Sequence, residues 1–163
     1  MTITIRKPIE SDDPTDVARL YYRVWKTAYR DILPSAFLDA LSVESWHPEK
    51  RWQHTLLAVD ESTTIRGVCT FGPNRQETQT ESSEIYSLYV DNDYRSRGIG
   101  RQLLHAALDR LSKTQDCHVV VLEKNNQARQ FYERMGFTTN LGISNSETKY
   151  GPIREVTLVR KTE

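Results

Sequence analysis

The spacing of apolar positions changes from segment to segment along this chain, and each change predicts an element. Residues 2–6, Thr-Ile-Thr-Ile-Arg, alternate polar and apolar side chains, the period of a half-buried strand. Asp13-Pro14 then combines a helix-capping side chain with a proline suited to the first helical position. After it Val17, Leu20, Tyr21, Val24 and Ala28 recur at three- and four-residue steps, which predicts a helix with one buried face. Pro34 ends that pattern. Residues 35–41 predict a short second helix, and residues 48–55, carrying Trp52, a third helical stretch.

Residues 56–59 and 65–71 predict a strand pair joined by the polar turn 60–63, and residues 72–83 a polar loop opened by Gly72-Pro73. Residues 84–90, Glu-Ile-Tyr-Ser-Leu-Tyr-Val, are rich in aromatic and β-branched side chains and read as a strand. Residues 98–113 place Leu103, Leu104, Ala107, Leu108 and Leu111 on one side of a helix. Residues 117–122 form a short apolar run, expected of a strand covered on both faces. Residues 126–135 are a helix with Ala128, Phe131, Tyr132 and Met135 in register, and Gly136 stands where a left-handed cap belongs. Residues 138–143 and 155–160 predict two final strands separated by a polar loop.

The predicted order is β-α-α-β-β-β-α-β-α-β-β. The strand-helix-strand over residues 84–122 implies a right-handed parallel crossover, and the rest reads as antiparallel. The fold class is therefore α/β (α+β): a mixed, mostly antiparallel sheet of about seven strands with helices on both faces. No linker divides the chain, so residues 1–163 are expected to form a single domain.

Composition narrows the function. The 22 basic residues balance 22 acidic ones, which excludes a globally basic nucleic-acid binder. With 37% hydrophobic residues the chain is not a charged disordered one. No apolar run approaches the roughly 18–20 residues that span a bilayer, and residues 1–6 hold no apolar signal segment. No membrane and no nucleic-acid partner is expected, and the expected location is cytoplasmic. Cys69 and Cys117 are far apart and are expected to be buried thiols. His47, His54, His105 and His118 show no ligand spacing, so no metal is assigned.

The chemistry-bearing segment lies between the strand 84–90 and the helix 98–113. Gly98 and Gly100 stand at a helix mouth with Arg95, Arg97 and Arg101 around them. Free N–H groups at a helix N-terminus, close backbone approach at glycine and flanking guanidiniums together suit a phosphate. A Walker loop is excluded because Gly-Lys-Ser/Thr is missing. A dinucleotide fingerprint is disfavoured because position 103 is Leu. Alone, a Gly-x-Gly is equally the look of a solvated turn.

Two blocks give it context. Arg95-Ser-Arg-Gly98-Ile-Gly100 resembles the acetyl-coenzyme A loop of the GNAT N-acetyltransferase superfamily, and Asn125-Asn-Gln-Ala128-Arg-Gln-Phe131-Tyr132-Glu-Arg-Met-Gly136-Phe137 resembles its second signature. Residues 24–34 are also similar to a branch of small bacterial members. The resemblance implies acetyl-coenzyme A as co-substrate and a splayed, bulged strand at 84–90. The pantetheine arm would pair with backbone groups of Leu88, Tyr89 and Val90, and the pyrophosphate would lie on the N–H groups of Arg95, Ser96, Arg97, Gly98, Ile99, Gly100 and Arg101. Asn125 would touch the coenzyme arm, and its alternative reading is a helix cap.

The same resemblance assigns Tyr132 as the general acid that reprotonates the coenzyme A thiolate, a task within reach of a phenol of ordinary pKa near 10. Its alternative reading is a core aromatic. The backbone N–H of Val90 is the candidate oxyanion donor. Glu84 is the candidate general base and Glu81 the fallback. On one strand face with Glu84 and Leu88, Tyr86 would line the acceptor pocket, together with Trp25 and Tyr29. The implied activity is transfer of an acetyl group to a primary amine, a small molecule or a peptide N-terminus, by direct attack. The competing readings are a non-catalytic coenzyme A-binding module and an unrelated nucleotide-binding fold. Similar proteins often dimerise. Five acids between Glu77 and Tyr94, with no Lys or Arg among them, predict a preference for cationic acceptors.

Overall fold

Helix α1 (Pro14–Ala28) starts where its sequence dictates, with Asp13 accepting a hydrogen bond from the Thr15 N–H at 2.9 Å. The computed structural model describes residues 2–76 and 81–162. Within them the other helices are α2 (Ser35–Asp39), α3 (Ile99–Arg110) and α4 (Asn126–Arg134). The strands are β1 (Thr4–Arg6), β2 (Thr55–Val59), β3 (Ile65–Pro73), β4 (Ser83–Val90), β5 (Cys117–Leu122), β6 (Thr139–Thr148) and β7 (Gly151–Arg160). They make one sheet in the order β1-β2-β3-β4-β5-β7-β6. The β4–β5 pair, bridged in sequence by α3, is parallel; the remaining pairs are antiparallel.

Two apolar layers enclose the sheet. Val17, Leu20, Tyr21 and Val24 of α1 pack with Leu57, Val59 and Val68 on one face. Leu103, Leu104 and Ala107 of α3, with Tyr132 and Phe137, cover Leu56, Ala58, Cys69, Ile85 and Val119 on the other. Every residue of β2 is buried because helices cover both its faces, so the strand reads as an unbroken apolar run. Gly67 lets α3 lie close: a Cβ there would stand 2.9 Å from Leu103 Cδ1.

Three predicted elements differ in form. Residues 48–54 are two 3-10 pieces kinked at Arg51, because Pro-Glu-Lys-Arg-Trp-Gln-His offers no apolar stripe to bury. The first strand begins at Thr4 and not at Thr2. The polar loop expected between the last two strands is mostly strand: β6 and β7 stay paired out to Thr148 and Gly151. Residues 140–147 are exposed on the sheet edge, so no apolar alternation marks them.

Leu103 is fully buried whereas Leu141 is half exposed. Leu103→Ala is expected to cost about 2–5 kcal/mol in denaturant unfolding, and Leu141→Ala no more than about 0.5 kcal/mol.

Candidate active site

Strands β4 and β5 pair only at Ser83–Cys117, Glu84–His118 and Ile85–Val119, and beyond Ile85 they part. The cause lies on the other edge of β4. Its pairing with β3 steps from Phe71–Ile85 to Thr70–Ser87, leaving Tyr86 as a bulged, unpaired residue. Two hydrogen bonds pin the strand just past the bulge: the Ser87 hydroxyl meets Tyr21 of α1 at 2.9 Å and Thr70 of β3 at 2.6 Å. A cleft of about 1120 Å³ runs through the opening, lined by β4, β5, the start of α3, and α4.

The bulge shifts the parity of β4. Ile85, Leu88 and Val90 all join the core beneath α3 and α4, while Tyr89 packs on the α1 side. Leu88 is therefore on the opposite face from Glu84, contrary to the expectation that Glu84, Tyr86 and Leu88 share one. The bulge also sorts the backbone groups. Asp91 N–H bonds the Arg66 carbonyl opposite it at 2.7 Å. The alternation of an antiparallel ladder then turns Tyr89's N–H and C=O toward β3, and those of Leu88 and Val90 into the opening. Tyr89 thus lines the cleft with its side chain, and not with the free backbone groups expected of it.

At the far end of β4 the loop is braced by charge. The buried Asp91 carboxylate accepts from Arg66 at 3.2 Å and Arg23 at 3.3 Å. The Tyr94 ring lies between the guanidiniums of Arg66 (4.3 Å) and Arg97 (4.9 Å). Ser96 and Gly98 both adopt left-handed backbone, with φ +62° and +80°. A Cβ at Gly98 would meet nothing within 4 Å, so glycine is there for its conformation. Helix α3 begins at Ile99, and the first helical bond is donated by Gln102 to Gly98 at 3.0 Å. The N–H groups ahead of Gln102 have no acceptor inside the helix, an arrangement chemically suited to an anion. Arg95, Ser96, Gly100 and Arg101 line the cleft here, whereas Arg97 stacks on Tyr94.

Tyr132 of α4 is buried between Phe131 and Phe137 and also lines the cleft. Burial pushes its hydroxyl well above the usual phenol value, and no hydrogen bond to another described residue offsets that push. The group therefore stays protonated through neutral pH. The Asn125 side-chain oxygen accepts from Ala128 N–H at 3.2 Å and caps α4, which leaves its NH2 group as a free donor beside the cleft. The cap and contact readings of Asn125 are thus compatible.

On the α1 side the cleft is lined by Trp25, Tyr29 and Leu33. The Trp25 and Tyr29 rings meet edge to face at 4.8 Å, and the Tyr29 and Tyr89 hydroxyls hydrogen-bond at 3.2 Å. Glu84 is 3% exposed, and Arg75 holds both its oxygens: Nη2 donates to Oε2 at 2.6 Å, and Nε lies 3.2 Å from each. The Arg75 N–H adds a bond to Oε1 at 3.0 Å. The Glu84 hydrogen bond in turn raises Arg75 above the ordinary guanidinium value. Tyr86 donates its hydroxyl to the Pro73 carbonyl, and its ring is flanked by Arg51 at 4.4 Å and Arg75 at 4.6 Å.

The acidic stretch does not form one acidic face. Glu84 and Asp91 are buried and paired with arginines, Glu81 and Asp93 are exposed, and Glu77 lies outside the described residues. One carboxylate of the cleft escaped the sequence reading: Glu155 of β7, whose hydrogen-bond partner is the Ser146 hydroxyl at 3.4 Å. Its sequence signal was only a polar residue opening a strand. Among the described residues no His/Cys/Asp/Glu group could hold a metal, and no helix is long and apolar enough to cross a membrane.

Comparison with known proteins gives this geometry a family context. A model of the acetyltransferase (GNAT) family matches residues 18–137. The chain is 30% identical over 107 residues to the uncharacterized N-acetyltransferase YuaI of Bacillus subtilis, covering 63% of this chain and 60% of that protein. It is 28% identical over 112 residues to the L-amino acid N-acyltransferase MnaT of Escherichia coli, covering 66% of this chain and 63% of that one. The match thus spans less than two thirds of either relative. In structure it is similar to the PaiA N-acetyltransferase of Thermoplasma acidophilum solved with coenzyme A, with TM-score 0.69, 20% identity, and coverage of 96% of this chain and 98% of that chain.

The Arg75–Glu84 pair makes a stability prediction. Arg75→Ala strands a buried carboxylate and is expected to cost about 1–3 kcal/mol, the usual penalty reduced because Arg75 is half exposed. Adding Glu84→Gln should recover most of that loss in denaturant unfolding.

Proposed function

The chain belongs to the acetyltransferase (GNAT) family, and on that premise we propose that it transfers an acetyl group from acetyl-coenzyme A to a small primary amine. The observation that carries this reading is a single cleft in which helix-opening N–H groups suited to an anion, open strand backbone and an unpartnered tyrosine hydroxyl meet. When bound, acetyl-coenzyme A supplies a thioester already activated toward an amine.

The chain's own groups divide the work. The N–H groups opening α3, with Arg95 and Arg101, hold the pyrophosphate. Leu88 and Val90 offer the pantetheine arm the backbone groups that β5 does not use, and the NH2 group of Asn125 donates to the same arm. The Val90 N–H also stabilises the negative charge that develops on the acetyl oxygen, as a fixed donor needing no reorganisation. Tyr132 donates its proton to the departing sulfur. Burial keeps this hydroxyl protonated at neutral pH, so its proton is in place when the thiolate forms. The acceptor enters from the α1 side between Trp25 and Tyr29, with Tyr86 and the Glu84–Arg75 pair bordering it. L-Amino acids head the acceptor panel, as the Escherichia coli relative is named for them.

The test is acetyl-coenzyme A-dependent thiol release across a panel of L-amino acids and primary alkyl amines. The wild type is expected to turn over at least one. Tyr132→Phe should lower kcat by roughly 10²-fold or more while leaving coenzyme A affinity within about threefold. Tight coenzyme A binding without turnover of any amine would sink the proposal in favour of a non-catalytic coenzyme A module.

A further inference from the structure

An ammonium acceptor has to lose a proton before it can attack, since an alkylammonium of pKa near 10.4 is almost wholly charged at pH 7. Among the described residues lining the cleft, the carboxylates are Glu84 and Glu155. Glu84 has both oxygens engaged by the Arg75 guanidinium and one also by the Arg75 N–H, so its charge is already compensated. Glu155 is in no ion pair within the described residues, and its hydrogen bond to the Ser146 hydroxyl is long, at 3.4 Å.

Its location follows from register. Val156 and Leu158 of β7 face the core beneath α3 and α4, so Ile153, Glu155 and Thr157 face the α1 side, where all three line the cleft. Glu155 pairs across the ladder with Leu122, the last residue of β5, beyond the point where β4 has departed. Its charge reaches the groups around the acceptor entrance. Tyr29, raised mainly by burial, is raised further by Glu155. Arg75, raised mainly by Glu84, is raised further by it too. This carboxylate, in no ion pair among the described residues, thus shares one cleft with the aromatic wall of α1 and the Arg75 guanidinium.

We propose that Glu155 is the carboxylate that receives the acceptor's ammonium group and takes its proton, which selects cationic primary amines; this rests on the acetyl-transfer reading above. One ammonium proton passes to a Glu155 oxygen, directly or through a water, and from there to solvent. The freed nitrogen pair forms the C–N bond to the acetyl carbon, and the C–S bond breaks with its electron pair staying on sulfur. Tyr132 protonates that sulfur, and the proton then shed by the acylated nitrogen restores Tyr132. The sum is ammonium plus thioester giving amide, thiol and one released proton.

The experiment compares wild type, Glu155→Gln, Glu155→Asp and Glu84→Gln with the best amine of the panel, and reads kcat/KM for the amine, KM for acetyl-coenzyme A and the melting temperature. Glu155→Gln is expected to lower amine kcat/KM by roughly 10²-fold, with acetyl-coenzyme A KM within about threefold and melting unchanged. Glu155→Asp should recover part of the loss, and Glu84→Gln should cost less than Glu155→Gln. Amine kcat/KM within threefold of wild type for Glu155→Gln overturns the proposal, as does a loss that appears equally in acetyl-coenzyme A KM. If Glu155→Gln does not fold, full activity in Glu155→Asp with a larger loss in Glu84→Gln overturns it too. A wild type that binds coenzyme A and acetylates no amine removes the acetyl-transfer reading itself, and this one with it.

Discussion

One surplus residue governs this molecule. Without Tyr86 in excess, β4 would run in regular register with β3 and nothing on that edge would turn it from β5. With the bulge, the parallel ladder ends at Ile85 and the middle of the sheet opens. An opening at the centre of a sheet forfeits hydrogen bonds and has to be held from outside. The Tyr21–Ser87–Thr70 contacts hold it on one side of the bulge, and the arginines flanking the Tyr86 ring hold it on the other.

A second constraint acts through charge. The chain is neutral overall, and its paired acids show how that neutrality is spent locally: buried Asp91 on Arg66 and Arg23, buried Glu84 on Arg75, and half-buried Asp12 on Arg6. These pairs fix loops that would otherwise be free to move, among them the stretch that carries Ser96 and Gly98 into left-handed backbone. Rigid N–H groups aimed at one volume serve an anion better than flexible ones, because no ordering is left to do on binding. Arg95 and Arg101 line the cleft at this end of α3, while Arg97 braces Tyr94.

Much of this was legible in the sequence, for physical reasons. Helix α1 has a cap, an N-terminal proline and a regular stripe; β5 is an apolar run between two covered faces; α4 carries its stripe and ends at Gly136, which has φ +97°. Those signals are local. The features that went unread are not. The family resemblance implied a bulge in this strand, but its position at Tyr86 leaves no compositional trace; placed there it reverses which side chains face which layer, and so the grouping of Glu84 with Leu88 failed. The Arg75–Glu84 pair joins residues nine apart in sequence, and only the fold brings them together. Glu155 reads as an ordinary polar strand position until β7 is laid beside β5. The outer part of β6 alternates nothing, because both its faces meet water.

The parity shift in β4 also changes how the sheet breathes. This strand is the fourth of seven in sheet order, where amide hydrogens ordinarily exchange most slowly with solvent. Here Leu88 and Val90 point theirs into the cleft while Tyr89, between them, is locked to β3. The middle of the sheet therefore holds exchange-labile amides on either side of a protected one, a pattern that a ligand threading the opening would erase.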